Sequence, residues 1–129
     1  KSHPRIHLLG RTPYGAYPFL YRDARALMMG HRMIPFTQCM FSSKLNEYLA
    51  SGKPIVSVPL PEWKRVASES EKDNVMRFAG KPADFAARLN EALAEDSSEL
   101  AKERRRLARK RTWSTAAEKL EAEIEKLLG

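Results

Sequence analysis

The stretch Phe41 to Val58, FSSKLNEYLASGKPIVSV, constrains this chain most, because its punctuation leaves one local reading. Ser42 and Ser43 are N-terminal caps, and Leu45, Tyr48 and Leu49 recur on one helical face. Gly52 followed by Pro54 stops the helix, and Ile55 to Val58 then reads as a buried strand. The start of such a helix offers backbone N–H groups with no partner, and Lys44 and Glu47 stand beside them. That grouping suits a ligand carrying both phosphate and sugar: N–H groups and a lysine for the phosphate, a carboxylate for hydroxyls. It equally suits an ordinary helix-to-strand unit in which Glu47 is merely solvated.

The rest of the chain alternates between the two periods. Ile6 to Leu9 is a short apolar run ended by Gly10, which predicts a strand. Pro13 can open a helix on which Tyr14, Tyr17, Leu20 and Tyr21 share a face. Ala26 to Met29 predicts another strand, and His31 to Phe41 has no period and reads as a loop. Pro61 to Ser68 suits a short helix, Asn74 to Ala79 a further strand, and Pro82 opens a helix with Phe85, Leu89 and Leu93 inward. From Ser97 or Ser98 a long charged helix runs on, breaks near Thr112–Trp113 and resumes to Leu128. Strands interleaved with helices predict an α/β domain, with a parallel sheet and helices on both faces.

Composition narrows the partners less than the pattern does. A chain of 129 residues is one domain with a real core. No apolar run approaches the ~20 residues that span a bilayer. The single cysteine, Cys39, has no internal partner and fits a reducing compartment. A net charge of +7 favours an anionic partner, whether nucleotide diphosphate, anionic lipid or nucleic acid. His3, His7 and His31 lack ligand spacing, so no metal site is expected. The densest basic run, Lys102 to Arg111 (KERRRLARKR), reads as a solvated helical face with local Glu partners, Leu100 and Leu107 marking its buried stripe. Trp63 and Trp113 read as packing anchors.

The segment KLNEYLASGKPIVSVPLPE, from Lys44 to Glu62, resembles the nucleotide-sugar motif of the group 1 GT-B glycosyltransferases. The resemblance continues loosely upstream through IHLLGRTPYGAYPFLYRDA and downstream to Trp113–Ser114, so it covers most of the chain. It differs at Cys39, where many members carry a second glutamate, at Arg25, where Asp is common, and at Gly30, where Pro is. The resemblance implies a Rossmann-like fold of about six parallel strands, here the partial C-terminal half of a GT-B enzyme. It implies a retaining hexosyl transfer from a nucleotide-diphosphate sugar, in the cytoplasm or on the inner membrane face, for cell-envelope or polysaccharide synthesis. No cofactor or metal is implied, since Lys44 and the helix terminus can supply the positive field.

Carried onto this sequence, the motif implies that Glu47 holds the ribose hydroxyls. Lys44 with the backbone N–H groups of Ser42 and Ser43 would hold the diphosphate, and Arg11 and Thr12 would border the base. Residues 1–129 then make a single nucleotide-sugar-binding domain. It reads as a fragment that opens on Lys1 and lacks the domain's first strands and the N-terminal acceptor domain. Unpaired strand edges in such a fragment would seek a partner, either a second copy in a homodimer or a sheet closed by docking the Ile6 strand against the Ala26 strand. Two other classes stay open: a non-catalytic phosphate- or nucleotide-binding α/β domain, and a basic module for nucleic acid or anionic membrane built on 102–111. Nucleic acid is the less favoured partner, because neither tryptophan interleaves with the basic run.

Overall fold

A computed structural model describes residues 3–129. After a 3-10 turn at Tyr14–Ala16, the elements are α1 (Tyr17–Asp23), β1 (Leu27–Met29), α2 (Pro35–Gln38), α3 (Ser43–Ser51) and β2 (Ile55–Ser57). There follow α4 (Pro61–Ser68), β3 (Arg77–Phe78), a 3-10 turn at Pro82–Asp84, α5 (Phe85–Ala94), α6 (Ser98–Arg109) and α7 (Trp113–Leu128). The three strands form one parallel sheet in the order β1-β2-β3, with Leu27 opposite Ile55 and Ser57 opposite Phe78. The chain is thus an α/β domain, a small Rossmann-like parallel sheet flanked by helices.

β2 is central and wholly buried, and alternation along it divides the core in two. Ile55 packs with Leu45 and Leu49 of α3, Trp63 and Val66 of α4, and Leu107 of α6. Its neighbour Val56 points the other way, to Ala79, Ala92 and the half-buried Phe85 and Leu89 of α5. The Ser57 hydroxyl is satisfied in this dry interior by donating to the Val58 carbonyl at 2.8 Å. Gly52, at φ +75°, turns the chain from α3 into this strand, a conformation that costs glycine least.

Four expectations need correction. Ile6 to Leu9 forms no strand: these residues join no sheet ladder among the described residues, the Ile6 N–H bonds only back to the His3 carbonyl, and Ile6, Leu8 and Leu9 stay exposed. An apolar run becomes a strand only where it docks, and Ile6 to Leu9 does not dock on the free edge that β1 offers. The sheet therefore has three strands, and the closure of an Ile6 strand against β1 does not occur. The loop His31 to Phe41 contains α2, fastened by the Thr37 hydroxyl, which accepts from the Ile34 N–H at 3.0 Å and donates to the Arg32 carbonyl. Trp63 is buried as expected, but Trp113 is 92% exposed and anchors nothing. No residue of α7 is buried, so its apolar stripe of Leu120, Ile124 and Leu127 is covered by none of the described residues.

The last correction concerns part of the basic run: Lys102, Arg105, Arg109 and Lys110 are exposed as expected, and Leu100 and Leu107 are buried, but one arginine is not solvated. Arg104 is 1% exposed and lies on the Leu100–Leu107 stripe of α6. Its guanidinium donates to the carbonyls of Val75 (2.8 Å) and Gly52 (3.0 Å) and to the Asp96 carboxylate (2.7 Å). Arg105 donates to the Ser51 carbonyl, and Arg111 reaches Asn46 and Glu62. Arg106 holds Glu103 through two 2.6 Å bonds, while Ser70 donates to the same carboxylate. Glu103 for Arg106 and Glu99 for Lys102, each three residues earlier on the helix, are the local partners expected.

Two measurements check this assembly. Arg104→Ala strands two buried carbonyls and removes an ion pair, so urea unfolding is expected to show a loss of about 3–5 kcal/mol. The hydrogen bonds from Arg106, opposed by burial and helped by Ser70, hold the Glu103 carboxyl down to about 2, against an ordinary 4.5. Below its ordinary value the unfolded chain takes up this proton more readily, so the contribution is complete above about pH 4.5 and is lost as pH falls toward 2. Glu103→Gln is expected to flatten that part of the acid unfolding profile.

Candidate functional site

The amino half of α3 meets the carboxyl end of α1, and the contact is polar. Lys44 and Glu47 lie one turn apart on α3 and so share a face. Tyr21, in the last turn of α1, donates its hydroxyl to Glu47 Oε2 at 2.6 Å. Lys44 Nζ donates to the same oxygen at 2.9 Å and to the Tyr21 hydroxyl at 3.2 Å. The ammonium also stands 4.1 Å from the centre of the Tyr17 ring, a cation–π contact. Glu47 Oε1 takes no hydrogen bond from the described residues, and the side chain keeps 19% of its surface in solvent. Glu47 is thus not merely solvated, as the plainer of the two readings had it, but clasped, with a single oxygen left over.

This clasp is fixed from beneath by aromatic rings. Tyr14 meets Tyr17 edge-on, Tyr17 stacks on Tyr21 with 22° between planes, and Tyr21 meets Tyr48 edge-on. Tyr48 in turn meets Trp63 in the core, so all four tyrosines join one row from surface to interior. Over the row opens a recess of about 500 Å³, lined by Tyr14, Tyr17, Tyr21 and Glu47, with Lys53 and Arg105 at its basic side. Its chemistry suits a planar or sugar-bearing ligand that also carries negative charge.

The residues singled out in the sequence are only partly brought together. Lys44 and Glu47 are in contact, and Ser42 and Ser43 open the same helix. Ser42 occupies the cap position and is buried, yet its hydroxyl makes no capping bond. Arg11 is exposed and outside the recess; Thr12 bonds only the nearby Gly10 carbonyl, at 3.5 Å. Tyr17 and Tyr21 carried no site role in the sequence reading, although their spacing with Tyr14 showed that one helix face is aromatic. Cys39 is an exposed thiol at the end of α2. No helix among the described residues is long and apolar enough to cross a membrane.

Burial, and then the bond to Glu47, push the Tyr21 phenol up to about 12 from an ordinary 10.0, with Lys44 pulling the other way. For Lys44, burial pulls downward, but the bonds to Glu47 and Tyr21 and their charges outweigh it, and its value rises. The raised Tyr21 value means that the protonated clasp contributes its full stability below about pH 10 and loses it as pH climbs to about 12. An ultraviolet phenolate titration is expected to show one tyrosine ionising near 12, and Glu47→Gln is expected to move that step downward.

No family model matches the chain, and no solved structure matches it. Over 90 residues, 67% of this chain, it is 34% identical to the protein of Bacillus subtilis (strain 168) named "Putative teichuronic acid biosynthesis glycosyltransferase TuaH". The aligned part is 22% of that relative's length. The similarity supports a glycosyltransferase relationship for this chain.

Proposed function

We propose that this chain is the donor-nucleotide half of a GT-B, group 1 glycosyltransferase that moves a hexosyl group from a nucleotide-diphosphate sugar with retention. The observation that carries this reading is the divided Glu47 carboxylate. Oε2 is held by Tyr21 and Lys44, while Oε1 has no protein donor among the described residues and belongs to a side chain lining the recess. A ribose hydroxyl is the donor that oxygen suits. Lys44, held by Glu47, Tyr21 and the face of the Tyr17 ring, sets a positive charge beside the recess, and the first N–H groups of α3 complete the proposed phosphate site. Negative charge grows on the leaving diphosphate as the glycosidic bond breaks, so groups that hold it lower the barrier.

In this proposal the acceptor site belongs to a second, N-terminal domain, and the reaction serves cell-envelope or polysaccharide synthesis; the relative's name assigns that protein to teichuronic acid biosynthesis. The site residues proposed are Glu47, Lys44, Ser42 and Ser43. Arg11 and Thr12 join them as base neighbours only if ligand binding draws the segment after Gly10 inward. The competing reading as a nucleic-acid or anionic-membrane module loses ground, because Arg104, Arg105, Arg106 and Arg111 bond the protein itself.

Calorimetric titration with UDP and GDP tests the proposal on the chain itself. One of them is expected to bind, and Glu47→Gln is expected to weaken it by roughly 1–3 kcal/mol, about 5- to 150-fold, with circular dichroism unchanged. Wild-type affinity in that variant sinks the ribose role. Because one domain supplies binding without the near-attack geometry, residues 1–129 alone are expected to transfer no sugar.

A further inference from the structure

We infer that Tyr21 is a positioning residue, which fixes the direction in which Glu47 offers its free oxygen and so sets the preference for an intact ribose. The inference rests on the proposed donor-nucleotide role of Glu47. Its own footing is the geometry of α1 against α3. A glutamate side chain has three rotatable bonds, and ordering it costs on the order of 1–2 kcal/mol. Lys44 cannot meet that cost by itself, since it is a flexible point charge on the same helix. Tyr21 comes from another element, and its ring cannot swing. One face stacks on Tyr17 at 5.9 Å between centres, and Tyr48 meets it edge-on at 5.6 Å. The hydroxyl of this held ring meets Glu47 Oε2 at 2.6 Å. With Oε2 pinned from two sides, rotation of the carboxylate is stopped and Oε1 keeps one direction. The ordering is then complete before a ligand arrives, which raises affinity only for ligands that present a hydroxyl there.

The raised phenol value is consistent with this role, because the hydroxyl remains a donor throughout the neutral range. Tyr17 supplies the control. It belongs to the same row, yet its hydroxyl makes no hydrogen bond among the described residues.

The test compares UDP and GDP with their 2′-deoxy and 3′-deoxy counterparts on the wild-type chain and on Tyr21→Phe, Tyr17→Phe and Glu47→Gln. Tyr21→Phe keeps the ring and its packing and removes the hydroxyl alone. It is expected to weaken the ribonucleotide about tenfold, as for one charge-assisted hydrogen bond, while a deoxy analogue binds within about twofold of wild type. The ribose-to-deoxyribose ratio therefore collapses, whereas a purely structural defect weakens both ligands alike. Tyr17→Phe is expected to preserve the ratio. Adding Tyr21→Phe to Glu47→Gln is expected to change little more, since both act on one contact. If Glu47→Gln collapses the ratio and Tyr21→Phe does not, the positioning role is overturned and the donor-nucleotide reading survives. If neither UDP nor GDP binds the wild-type chain, or Glu47→Gln leaves the ratio intact, both are overturned.

Discussion

One buried cation holds the domain's parts in register. The Arg104 guanidinium is taken out of water among Leu107, Val75 and the turn at Gly52, a transfer that would cost several kcal/mol for an unpartnered ion. It is tolerated because each acceptor it meets also needs a donor. The Gly52 carbonyl ends α3, the Val75 carbonyl precedes β3, and Asp96 precedes α6. Three segments far apart in sequence are thereby referred to one side chain. Apolar packing alone would press α6 against α3, but it would fix their relative slide less sharply than directional bonds do.

The recess inherits its shape from that arrangement at one remove. α6 fixes the carboxyl end of α3, and Trp63 and Tyr48 fix its middle. What remains is the angle at which α1 lies across the amino half, and the row of tyrosines sets it. Trp63 bears a cost in this scheme, because its indole N–H is buried without an acceptor among the described residues. Its ring serves as the floor of the aromatic row, a role that depends on shape and not on that N–H.

Elements with punctuation at both ends were legible in the sequence. α4 runs from Pro61 to Ser68 as its proline and apolar spacing indicated, and α3 ends at Gly52 as expected. Ile6 to Leu9 misled because an apolar run records a wish for burial and cannot name the edge that would grant it. The basic run misled at one position. Arg104 sits four residues after Leu100 and three before Leu107, so its place on the buried stripe was written in the spacing, but a charged residue there reads as solvated until its acceptors are known. The clasp joins residues 26 apart, Tyr21 and Glu47, and depends on how two helices dock. Local pattern could place Glu47 on a helix beside Lys44; it could not supply the phenol that turns the carboxylate.

The turn at Gly52 has an electrical effect at a distance. Arg104 and Arg105 donate to the carbonyls of Gly52 and Ser51, where the negative end of α3 lies. At the opposite end the first turn contains no acidic residue and the cap side chain makes no bond, while Lys44 and Glu47 largely cancel one another. Compensating the rear pole weakens its opposition to the front one. Two fixed cations behind the helix also add a small positive potential of their own, and both effects are screened over roughly 8 Å in physiological salt. The two arginines behind α3 thus make its front slightly more positive than the helix alone would be.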